Sequence, residues 1–162
     1  MKITVMKQIK FCAGHRLVGH EGKCANLHGH NYIAQIHVTG NEVDQLGRVV
    51  DFAVINRLFK GWIDDNWDHG MLLWEEGTEA IKALNSISTR RTFLMPYNPT
   101  AENMARYLLF EVAPDLVDEV KGYDIAVSKV VIWETENSAA EVSFDSKLLN
   151  YVAAENTSSE SV

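Results

Sequence analysis

Two stretches of strict alternation constrain this chain more than any other feature. Residues 1–11 set Ile3, Val5, Ile9 and Phe11 against polar neighbours. Residues 28–39 place His28, His30, Tyr32, Ala34, Ile36 and Val38 on one face, with Gly29, Asn31, Ile33, Gln35, His37 and Thr39 on the other. A period of two predicts half-buried strands, and Gly40-Asn41 breaks the second run. The period then lengthens. Val54, Ile55, Leu58, Phe59, Trp62 and Ile63 recur at helical spacing after Asp51, which sits where an N-cap belongs. A second helix is predicted after Asn98-Pro99, read as cap and first-turn proline, with a stop at Pro114. Its apolar stripe is Ala101, Met104, Ala105, Leu108, Leu109 and Val112.

Residues 125–135, rich in Val, Ile and Trp, and the alternating residues 140–144 read as two more strands. The order strand, strand, helix, helix, strand, strand predicts an α+β fold on an antiparallel sheet. Between the two helices, residues 70–97 form a long insertion with a short helix near Glu79–Leu84 and Arg90-Arg91 in a loop. Connections of that length are uncommon unless functional. A single domain over 1–150 and a flexible small-residue tail over 151–162 are expected.

Composition narrows the class. Fifteen basic against twenty-two acidic residues give a net charge of −7, the opposite of what phosphate neutralisation by a nucleic-acid binder requires. Two cysteines, Cys12 and Cys24, are too few for a disulfide framework. Lysines at 2, 7 and 10 interrupt any signal-peptide core, and no apolar run reaches membrane-spanning length. A protein of the cytoplasm, without membrane or nucleic-acid partners, is the expectation.

The chemistry concentrates in residues 15–30, HRLVGHEGKCANLHGH. His28 and His30 lie on the same side of a predicted strand, and an antiparallel return can bring His15 beside them. Three neutral imidazoles make a zinc site with its fourth position open, the catalytic arrangement. Two other readings stand beside it: histidines without a metal, or a closed site from Cys12, His15, Cys24 and His28. Cys24 is either a small buried side chain or, near zinc and Lys23, a thiol with lowered pKa. Asp68 can orient His69 for acid–base work or simply stand at a helix end. Glu134 closes a strongly apolar strand, where a carboxylate needs donors; a heterocycle with two adjacent N–H groups supplies them.

The ordered set Phe-Cys-Ala-Gly-His15, Cys24-x3-His28-Gly-His30, Val-Asp51-Phe52, Asp68-His69, Pro-Thr100-Ala-Glu102-Asn103 and Trp-Glu134-Thr resembles the 6-pyruvoyltetrahydropterin and 6-carboxytetrahydropterin synthases, from about Ile9 to Val142. The resemblance implies a tunnelling fold, with a four-stranded antiparallel sheet and a helix pair in each subunit. It also implies trimers that stack into hexamers, with active sites at subunit interfaces. It puts His15, His28 and His30 on the ligands of Zn2+, and Cys24 on the catalytic thiol. Asp68 and His69 fall on a dyad from a neighbouring subunit, and Glu134, Thr100 and Glu102 on residues that bind a pterin triphosphate. The three-residue gap between Cys24 and His28 resembles the carboxy enzymes, which release acetaldehyde and triphosphate. The long 70–97 segment and Thr135-Glu136-Asn137 resemble the pyruvoyl type as much. A non-catalytic zinc-stabilised module of the same fold is the alternative from another class. Lys23, Arg16, Arg90 and Arg91 are candidates to offset the acidic average near a triphosphate.

Overall fold

The computed structural model describes residues 1–87, 91–120 and 122–144. The predicted tail therefore lies outside the described residues, as does Arg90.

Strands β1 (Ile3–His15) and β2 (His28–Gly40) pair antiparallel along their whole length, from Ile3 opposite Gly40 to His15 opposite His28. Strand β5 (Ile125–Thr135) runs antiparallel to β2, and β6 (Ser138–Ser143) antiparallel to β5. This much matches the expected four-stranded sheet. The insertion changes it. Strands β3 (Gly70–Trp74) and β4 (Thr92–Met95) extend the sheet to six strands in the order β4-β3-β1-β2-β5-β6. Both additions are parallel, β3 to β1 and β4 to β3, so the sheet is mixed. Gly-Met-Leu-Leu-Trp lacks alternation because β3 is covered on both faces, adjacent Leu72 and Leu73 both being buried, whereas the edge strand β4 buries Met95 and leaves Leu94 exposed.

A continuous helix over 52–66 (α1) begins where Asp51 caps it, the carboxylate accepting from Ala53 N–H at 2.8 Å. Helix α2 (Thr78–Asn85) links β3 to β4, close to the predicted position. The second long helix, α3 over 101–118, departs from expectation at both ends. Its cap is Thr100, whose Oγ1 accepts from Asn103 N–H at 3.2 Å; Asn98 has another use. It also continues past Pro114 to Asp118. The π-type turn Leu108–Val112 includes Phe110, four residues before Pro114, so the helix is already widened where the proline ring would clash with that carbonyl.

The core lies between one sheet face and α1 and α3. Phe11, Tyr32, Ile36, Val130 and Ile132 meet Phe59, Ile63, Met104 and Leu108 there, all buried. Trp67 packs among Phe11, Trp62, Phe93 and Tyr107. The antiparallel pairing brings the end of β1, the start of β2 and the end of β5 to one end of the sheet, where Thr100 begins α3.

Candidate metal centre and active site

His15, His28 and His30 follow Phe11 and Tyr32 on the inner face, with His28 opposite His15 and His30 opposite Ala13. Gly29 between them is required by packing, because a Cβ there would lie 2.8 Å from the Ala13 carbonyl oxygen. The three imidazoles gather with their ligand nitrogens within 4.8 Å of one another.

Their protonation follows from their partners. His15 Nδ1 lies 2.8 Å from the Pro99 carbonyl oxygen, and His28 Nδ1 lies 2.8 Å from the Asn26 carbonyl oxygen. A carbonyl only accepts, so each Nδ1 carries the proton and each Nε2 is a bare lone pair. Those two bare nitrogens face each other at 3.0 Å, a repulsive contact unless a cation sits between them. His30 Nε2 is buried with no hydrogen-bond partner. Tetrahedral metal–nitrogen bonds of about 2.0–2.1 Å place ligand atoms about 3.3 Å apart, near the 3.0 Å between the His15 and His28 nitrogens. The residues fit a metal ion. Burial also holds His15 below its ordinary pKa, against the opposing pull of the Pro99 carbonyl and Glu134, so the ring stays neutral and able to ligate. Tyr32 OH lies 3.2 Å from His15 Nδ1, and burial raises its pKa.

Beside the histidines opens a cleft of about 350 Å³ whose walls include Leu17, His20, Cys24, Thr100, Glu102 and Glu134. Cys24 arrives on a short 3-10 turn, Lys23–Ala25. Glu134 falls at a register shift in the β5–β6 ladder, between Trp133 and Thr135; such bulges re-aim side chains. Its Oε1 stands 3.5 Å from His30 Nε2, joining the histidine cluster to the cleft. Thr100 has spent its oxygen as a cap acceptor, which leaves its O–H proton available to a ligand.

Asp68 and His69 sit elsewhere. They follow α1 at the flank of β1, where Cys12 N–H donates to Asp68 Oδ1 at 2.9 Å and His69 N–H donates to the Cys12 carbonyl at 2.6 Å. Asp68 Oδ2 accepts from His69 Nδ1 at 2.8 Å. His69 takes φ +55°, the one non-glycine positive φ among the described residues. Burial raises the Asp68 pKa, but the Cys12 N–H and the His69 ring outweigh it and the net shift is downward. Neither residue lines the cleft that holds Cys24.

The closed two-cysteine site does not form. Cys12 is exposed, with its Sγ donating to Asn31 Oδ1 at 3.1 Å. Three positions before His15 on one strand is the opposite face. Of the basic candidates, Arg16 donates to the Ala25 carbonyl and pairs weakly with Glu79. Arg91 donates to the Asp64 carbonyl, and Lys23 is exposed on the turn before Cys24. His20, Tyr32 and the Pro99 and Asn26 carbonyls were not legible as site components, since each arrives through a loop or a backbone atom.

The sequence profile of the 6-pyruvoyl tetrahydropterin synthase family matches residues 4–145. The chain belongs to this family. Among its relatives, the 6-carboxy-5,6,7,8-tetrahydropterin synthase of Rickettsia bellii is 39% identical over 140 residues, covering 86% of this chain and 99% of the relative. The enzyme of the same name from Haemophilus influenzae is 30% identical over 142 residues, covering 85% and 96%. The crystal structure of 6-pyruvoyl tetrahydropterin synthase from Plasmodium vivax superposes with a TM-score of 0.68 at 18% identity, over 90% of this chain and 99% of that one. The shared architecture is that of the synthase family, and its six strands refine the four expected. No described helix is long and apolar enough to cross a membrane.

Proposed function

We propose that this protein is a zinc-dependent lyase that converts 7,8-dihydroneopterin triphosphate and water to 6-carboxy-5,6,7,8-tetrahydropterin, acetaldehyde and triphosphate. The observation that carries the reading is the 3.5 Å approach of Glu134 to His30, which sets a carboxylate suited to a pterin edge against the three-imidazole centre. The names of the relatives from Rickettsia bellii and Haemophilus influenzae favour the carboxy product over the pyruvoyl one.

His15, His28 and His30 are the residues that would hold zinc, through Nε2. Bound there, zinc supplies Lewis acidity that lowers the pKa of the hydroxyls on the substrate side chain. Glu134 accepts two adjacent pterin N–H groups, and the Thr100 hydroxyl donates beside it. Glu102, in the first turn of α3, accepts at the same edge. Cys24 takes a proton from the side chain as thiolate, and His69 returns one from the other face, its ring oriented by Asp68. Because the dyad stands off this chain's cleft, His69 is supplied by a neighbouring subunit. The assembly is a homohexamer, a dimer of trimers, with sites at the interfaces. A cytoplasmic step in deazapurine synthesis follows from that product.

Mass spectrometry of the products from 7,8-dihydroneopterin triphosphate tests this. Carboxytetrahydropterin with acetaldehyde is expected. A pyruvoyl product without acetaldehyde moves the protein to the other branch of the family, and unchanged substrate with metal bound contradicts the enzyme reading.

A further inference from the structure

The connection between β1 and β2, which carries Cys24, makes no strand ladder of its own, yet it is held at a defined point. Val18 N–H donates to Asn98 Oδ1 at 2.8 Å, and Asn98 Nδ2 donates back to the Val18 carbonyl at 2.9 Å. One side-chain amide thus pairs with both backbone groups of Val18 as a strand would, and only one orientation of the amide satisfies both. The next residue back, Leu17, donates its N–H to the Cys24 carbonyl at 2.9 Å. Asn98 therefore reaches Cys24 through two intervening residues, Val18 and Leu17.

Asn98 is itself fixed. Its carbonyl accepts from Asn103 Nδ2 at 2.8 Å and from Thr100 N–H at 2.9 Å, at the start of α3. Pro99, the residue between, accepts from His15. A second side-chain tie between this end of the loop and a distant element, Arg16 to Glu79, is 3.5 Å long with Glu79 largely exposed, and exposed pairs of that kind contribute little.

We propose that Asn98 is a positioning residue: it sets the loop bearing Cys24 against the N-terminal end of α3, so that the thiol meets the cleft at a fixed place relative to His15 and Thr100. The assignment of Cys24 as the proton-transferring thiol rests on the function proposed above; the tie itself does not. Misplacing a reacting group by about 1 Å costs roughly 100-fold in rate. Loosening the loop therefore lowers kcat far more than it raises KM.

The test compares Asn98→Ala, which removes both bonds, with Asn98→Asp, which keeps the shape and the bond from Val18 N–H but sets a carboxylate oxygen against the Val18 carbonyl. Metal-loaded full-length proteins are alkylated with iodoacetamide, and labelling of Cys24 and Cys12 is followed separately by peptide mass spectrometry. Cys12, on β1, is the internal control, because global loosening changes both thiols and loop release changes Cys24 alone. Both variants are expected to shift the Cys24-to-Cys12 labelling ratio by about threefold or more. They are also expected to lower kcat roughly 10–100-fold, with KM within about threefold. An unchanged ratio in both variants, or a Cys24 rate that moves only in step with Cys12, overturns the proposal. Labelling needs no substrate, so it decides the role of Asn98 even if the wild-type protein proves inactive on the pterin triphosphate.

Discussion

His30 Nε2 and Glu134 Oε1 stand 3.5 Å apart across the β2–β5 pair, placing a half-buried carboxylate directly beside an imidazole nitrogen without a hydrogen-bond partner. No other ion pair reaches Glu134 among the described residues. A carboxylate so placed needs donors, and a pterin edge offers two. Glu134→Gln keeps the shape and loses the charge. Charge-assisted hydrogen bonds contribute about 1.5–3 kcal/mol, so pterin affinity measured by calorimetry is expected to fall roughly 10–100-fold while metal content stays unchanged. Equal affinity in the variant contradicts the anchor.

Cys24 lines the cleft but is not part of the three-histidine cluster. Cys24→Ala is expected to abolish turnover while metal content stays near one ion per chain. Loss of the metal in that variant makes Cys24 a ligand instead.

The Asp68–His69 pair is clamped to β1 by both backbone groups of Cys12, away from this chain's cleft. Cys24→Ala and His69→Ala are each expected to be inactive. Mixing the two under conditions of subunit exchange is expected to restore activity, since some interfaces then pair an intact Cys24 with an intact His69. Activity that stays absent after confirmed exchange contradicts a dyad supplied in trans.

His37 lies on the sheet face away from the helices, its Nε2 buried without a partner, and its pKa is lowered first by burial and then by Lys129, with Glu141 opposing. The folded-state value lies below the unfolded one of about 6.5. Its contribution to stability is therefore complete above about pH 6.5 and is lost as pH falls through the folded-state value. Chemical denaturation of His37→Gln is expected to show a smaller loss of stability between about pH 7 and pH 5 than the parent shows. An identical pH dependence contradicts this.

The strand pair carrying the histidines was legible because alternation is a local property: His28 and His30 share a face by position alone, and the antiparallel return supplies His15. Asp51 was legible as a cap for the same reason. Strands β3 and β4 were not, because runs of five and four residues without alternation become strands only through parallel pairing with distant neighbours. Asn98 read as a helix cap because Asn-Pro is a common helix entry; its true partner, Val18, lies 80 residues away. The Cys12 clamp on Asp68 is hidden likewise, since it runs through backbone atoms 56 residues apart in sequence.

The central claim is that the Nε2 atoms of His15, His28 and His30 form a metal centre with an open position and no sulfur ligand. X-ray absorption spectroscopy at the zinc edge of the loaded protein reads this directly. The account predicts nitrogen and oxygen scatterers at about 2.0–2.1 Å, three of them imidazole. A sulfur scatterer at about 2.3 Å contradicts it, because a thiolate bound to the metal cannot also serve as the free base.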